Sequence, residues 1–159
     1  MTTMDARVPQ ADRVRPAAYQ AFWLLRIGFT AVPILFGVDK FFNWTVHWPD
    51  YLAGWINHIM PGSAQDFMYF VGGVEITAGL IVAVAPVIGA PLVAGWLAGI
   101  IVNLLTNEPP EYYDIALRDF GLMLAALTLT RLAWAVGRSG RQPVGEQARK
   151  RHPRLDRAA

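Results

Sequence analysis

Residues 67–105 are apolar almost without interruption, with Glu75 the one charge among about forty residues. At helical rise such a run is roughly twice the length needed to cross a bilayer. It must fold back on itself, and Ala85-Pro86, with Pro91 just beyond, predicts the reversal there. Residues 17–42 and 115–136 are also long and apolar enough to span. The pattern therefore predicts an all-α fold: an integral membrane four-helix bundle with spans at about 17–42, 67–85, 87–106 and 113–136. A soluble bundle of this length would show polar stripes, and 80–88 and 92–102 show almost none on any face.

The segment 43–66 is too polar to span. In it Trp48, Tyr51, Leu52, Trp55, Ile56 and Ile59 recur at helical spacing, Pro49 suits a first turn, and Pro61-Gly62 ends the pattern. It predicts a helix lying in the interface between spans 1 and 2. The polar segment 1–16 is expected to be a disordered arm and the basic tail 137–159 to be disordered as well, leaving 17–136 as one membrane domain. The first apolar stretch is longer than a signal-peptide core, holds Arg26 and is followed by Asp39-Lys40, so it is expected to be retained.

Charge sets the expected orientation. Arm and tail hold ten of the fourteen Lys and Arg, whereas 43–66 and 106–114 hold none and carry Asp50, Asp66, Glu108, Glu111 and Asp114. By the positive-inside rule both termini face the cytoplasm, in a bacterial inner (plasma) membrane, with Tyr19, Trp23 and Trp134 at the inner interface and Trp44, Trp48, Tyr69, Tyr112 and Tyr113 at the outer one. The basic tail reads as solvated, with topogenic charge; contact with anionic lipid is the other reading. Nothing points to nucleic acid.

The chain has no cysteine, which excludes a thiolate nucleophile, a disulfide relay and a cluster held by its own thiolates. His47, His58 and His152 lie outside the expected spans, so a haem held by histidines within the membrane is not expected, and no metal site is assigned.

The polar residues inside the spans are the candidates for function, because charge there is costly and normally turns toward other helices. Arg26, Thr30, Pro33, Gly37 and Lys40 share one face of the first span; Gly72, Glu75 and Gly79 share one face of the second. Gly95, Gly99 and Asn103 line up on the third, and Asp114, Arg118, Gly121, Ala125 and Thr128 on the fourth. Each stripe is small and ends in a polar group, so these faces are expected to meet. That would gather Lys40, Glu75, Asn103 and Arg118 in the outer half, with Arg26 about 20 Å below Lys40. Asp39 and Asp119 lie about 100° round from Lys40 and Arg118 and, with Asp114, are read as their supporting partners. In such a pocket Lys or Arg would hold a carbonyl or anionic group and Glu75 would exchange a proton. The alternative is that Glu75 pairs with Lys40 or Arg118 and fixes helix register.

These residues also carry a family resemblance. The first span, with Arg26, Gly28, Gly37 and Lys40, resembles the DoxX family pattern; the second, with Gly72, Glu75 and Gly79, looks like its Gly-x-x-Glu-x-x-x-Gly segment; and ALRDFGLMLAALTLT is similar to its closing helix. The likeness covers about 23–132. It departs from the family in the basic tail and in the long stretch rich in Trp. The resemblance implies a four-span accessory subunit tied to quinone-linked oxidation or to oxidative-stress assemblies, acting with other membrane redox subunits rather than as an enzyme alone. It implies quinone as the candidate ligand, bound non-covalently. A structural scaffold without a ligand, and a homo-oligomer, stay open. A transporter or stand-alone enzyme fits less well, since there is no inverted repeat and no obvious nucleophile.

Overall fold

A computed structural model describes residues 10–107 and 112–139, all helix, turn or loop with no strand among them. The first nine residues of the expected arm, residues 108–111 and the tail beyond Ser139 lie outside the described residues. Four helices are long and apolar enough to cross a membrane. They are α1 (Gln10–Phe42), α3 (Ala64–Val84), α4 (Pro86–Leu105) and α5 (Tyr113–Ser139), with the short α2 (Gly54–Ile59) between the first two. α1 starts earlier than expected, so residues 10–16 are helical rather than part of a disordered arm. Gln, Ala and Arg are good helix formers, and the apolar helix behind them has already met the cost of nucleation.

α1 packs chiefly on α3 and α4 on α5, and the two antiparallel pairs close into a bundle through α3 against α4 and α1 against α5. The surface is apolar: Leu24, Leu35, Phe70, Val84 and Leu117 are each at least 60% exposed, a composition suited to acyl chains and not to water. The apolar core, built from Phe22, Phe29, Val82, Ala90, Leu97, Leu129 and Ala133 among others, fills the half nearest the termini. The buried charged residues lie in the other half.

The stripes on α1 and α3 do meet. A Cβ on Gly37 would sit 2.7 Å from the Gly72 carbonyl, one on Gly72 would sit 2.6 Å from the Gly37 carbonyl, and one on Gly79 would meet the Thr30 carbonyl at 2.8 Å. Seven residues back along α1 thus match seven residues forward along α3, so two backbones run in contact in a fixed antiparallel register. The reversal between α3 and α4 is a single residue, Ala85, which caps both helices, followed by Pro86 at a helix start. So tight a hairpin brings Gly89 against the backbone of the preceding helix, where a Cβ would lie 2.5 Å from the Val82 nitrogen. Gly89→Val is expected to cost about 1–3 kcal/mol, read as a lower thermal midpoint in mild detergent. Gly95→Val, whose Cβ meets nothing within 4 Å, serves as the control; equal losses in both would contradict the packing described.

The segment 43–66 is not one helix. It holds a 3₁₀ turn at Trp48–Tyr51 and the six-residue α2, separated by Leu52 and Ala53. Helical spacing misled here because a side chain from elsewhere takes the backbone groups a continuous helix would need: Asn103 Nδ2 donates to the Tyr51 carbonyl at 2.7 Å, and the Ala53 N–H donates to Asn103 Oδ1 at 2.9 Å. Leu52 and Ala53 are consequently buried, and the segment folds over the end of the bundle.

Candidate functional site

Side chains on a helix lean toward its N-terminus. In the antiparallel α1–α3 pair, Lys40 therefore leans into the bundle and Glu75 leans up to meet it. Lys40 Nζ donates to Glu75 Oε2 at 2.7 Å, with the two residues 4% and 8% exposed. Asp119 on α5, 6% exposed, is close enough to act electrostatically on both. One ammonium and two carboxylates thus share a buried site. Arg118 Nε lies 3.4 Å from Asp119 Oδ1, a long contact, and its side chain is 64% exposed.

The roof is built by the end of α1. Asn43 ends the helix in the left-handed region, φ 54°, a conformation Asn tolerates better than most residues. Its amide holds both α3 and the next turn, donating to Gln65 Oε1 and accepting from the Trp48 N–H. Asp39 is buried beneath this turn and accepts four hydrogen bonds, from the N–H groups of Trp44 and Thr45, the Thr45 hydroxyl and Trp48 Nε1. These donors bring the Trp48 ring over the ammonium, with Lys40 Nζ 3.6 Å from the ring centroid, so an aromatic face completes the shell of the cation.

Of the residues singled out from sequence, the fold brings together Lys40 and Glu75 and places Arg118 at the rim. Asn103 does not join them; both ends of its amide clamp the connecting segment. Arg26 donates to the Ala83 carbonyl in the last turn of α3 and lies against the rings of Trp23 and Phe22, where it satisfies a terminal carbonyl and faces the negative end of the helix dipole. Asp114 is exposed in the first turn of α5. Asp39 supports the roof and makes no ion pair with Lys40. Asp119, ranked behind Arg118 from sequence, is the buried member of that pair.

The stripes expected on α4 and α5 pack within the chain only in part, through Asn103 and Ala125. Gly95, Gly99 and Gly121 face outward, and Ala90, Val93, Ala94, Leu97, Ala126, Leu129 and Ala133 make the contacts instead. Asp119 shares the spacing of Ala116, Ala126, Leu129 and Ala133, and that was the available signal for its direction. Two further residues escaped sequence reasoning. Trp48 looked like an interface marker and is a roof. Trp96 took no role in the sequence reading; its Nε1 is buried beside the Glu75 carboxylate.

Chemically, the site offers an ammonium whose main partner is a carboxylate able to take up a proton, with a second carboxylate near both and a rim arginine leading outward. Fold and site together define a helical protein with four membrane-length helices around a buried charged cluster. No family model, no curated protein and no solved structure matches the chain.

Proposed function

We propose that the chain is an integral membrane subunit of a quinone-linked redox complex, inserted in a bacterial inner membrane with both termini cytoplasmic, and that Lys40, Glu75 and Asp119 form its working site. The segment 43–63 would then lie at the outer interface, where a partner subunit docks. When Glu75 takes up a proton, its attraction for Lys40 falls, and the ammonium becomes available to a ligand carbonyl oxygen. Electron transfer belongs to the partner. The observation that supports this is the second buried carboxylate: one ion pair suffices to fix register, and a further buried acid adds desolvation cost without adding register. The resemblance to the DoxX family supplies the redox assignment.

The direct 2.7 Å contact of Lys40 with Glu75 and the glycine contact of α1 with α3 favour a second role, a scaffold whose charges are simply paired. Glu75→Gln separates the two. In a complex recovered by affinity pull-down in mild detergent, the redox role predicts turnover per assembled complex lower by on the order of 100-fold. The scaffold role predicts lower yield of complex with turnover intact. Unchanged turnover and no quinone in an extract of the purified protein would count against the redox role.

A further inference from the structure

On the outer side of α3 and α4 runs a groove of about 630 Å³, lined by Val74, Ala78, Pro91, Leu92, Gly95 and Trp96 among other apolar residues. Ile88 and Leu92 on its border are more than half exposed, at 60% and 51%, so it opens sideways, toward the acyl region if the bundle spans a bilayer. Trp96 is the wall it shares with the charged site: the indole lines the groove, while its Nε1 is buried beside Glu75.

We propose that this groove seats the tail of a neutral, single-tailed lipophile with a carbonyl head, and that Trp96 is the partition through which that head reaches Glu75 and Lys40. The inference rests on the membrane redox role proposed above and names the ligand class of that site. Two observations carry it. The polar end of the groove is deep: Trp96 is midway along α4, roughly 14 Å from either end. A phosphate head cannot sit at that depth without the cost of a charge in hydrocarbon, whereas an uncharged carbonyl can. The indole N–H is buried beside the Glu75 carboxylate, on which it acts, so turning the ring exchanges that contact for one in which the same donor serves a carbonyl oxygen.

The two outward glycines of α4 supply a matched test. A Cβ on Gly95 or on Gly99 meets nothing within 4 Å, so leucine fits at either, but Gly95 lines the groove and Gly99 does not. The protein in nanodiscs would be photolabelled with a decyl benzoquinone bearing a diazirine on its tail and, separately, with a diazirine phosphatidylcholine, and the labelled residues located by mass spectrometry. The quinone probe is expected to label residues 74–78 and 87–96 of the wild type, to lose that labelling by at least about tenfold in Gly95→Leu, and to keep it in Gly99→Leu. The phosphatidylcholine probe is expected to label exposed positions alike in all three. Equal quinone labelling in the two variants, or enrichment of the phosphatidylcholine probe in the groove, would overturn the proposal. Glu75→Gln keeps the groove, so its outcome is separate. Groove labelling with unchanged turnover in that variant removes the redox role and leaves the lipophile seat; lost turnover without groove labelling does the reverse.

Discussion

Lys40→Met is expected to lower stability by about 3–5 kcal/mol, and the double variant Lys40→Met/Glu75→Gln to regain most of the loss. The asymmetry follows from where the pair sits. An exposed ion pair contributes about 0–1 kcal/mol because water solvates either partner left alone. Here Lys40 and Glu75 are 4% and 8% exposed, and removing the ammonium strands Glu75 beside Asp119, two like charges with little water to screen them. It also empties the space under Trp48, whose ring lies 3.6 Å from Nζ. Methionine keeps much of the length and apolar volume of the lysine stem, so the loss reports charge more than cavity. Neutralising Glu75 as well removes the stranded charge and leaves an amide with small desolvation cost. A thermodynamic cycle over wild type, both singles and the double, by denaturant titration in mild detergent, measures the coupling. A Lys40→Met loss within about 0.5 kcal/mol of zero, or a double variant no better than the sum of the singles, would show that the two groups are not a buried, mutually dependent pair.

The α1–α3 half of this site was legible in the sequence because its small and polar residues have few competitors. Gly37 and Lys40 on one helix, and Gly72, Glu75 and Gly79 on the other, are spaced so that a single pair of faces satisfies all of them. The α4–α5 half was not. There Ala90, Ala94, Ala126 and Ala133 make the close contacts, and alanine is too common in apolar helices to mark a face. Gly95, Gly99 and Gly121 meanwhile point outward, where a Cβ would meet nothing within 4 Å and glycine therefore marks no contact. For a related reason the sequence did not show that, of the adjacent Arg118 and Asp119, the aspartate is the buried one. A long arginine can reach out from the rim, whereas a short aspartate cannot, so of the two it is Asp119 that must find its partners inside. The connecting segment failed on distance. Its two short helical pieces are separated by an amide about fifty residues away along the chain, at Asn103, and no local spacing reports that.

Asp39→Asn is expected to open the roof while leaving the bundle closed, at a local cost on the order of 3 kcal/mol. The carboxylate is an acceptor at both oxygens, and all four of its neighbours are donors: the Trp44 and Thr45 N–H groups on Oδ1, and the Thr45 hydroxyl and Trp48 Nε1 on Oδ2. Asparagine has nearly the same shape but turns one acceptor into an NH₂. One pair of donors must then face another donor, and hydrogen bonds to a charged acceptor, about 1.5–3 kcal/mol each, are lost or weakened. The effect is local because Asp39 binds only its own turn, while Gly37, two residues earlier, still holds α1 against α3. Amide hydrogen exchange should therefore rise by roughly 100-fold across 44–53, the ratio that about 2.8 kcal/mol represents, and stay unchanged in α3, α4 and α5. Thr45→Val removes one donor and should give a fraction of this. Uniformly faster exchange would mean that Asp39 supports the whole bundle, and unchanged exchange that the turn stands without it. The same opening lifts Trp48 from Lys40, so Asp39→Asn also admits water to the ammonium and weakens its hold on Glu75 without altering either residue.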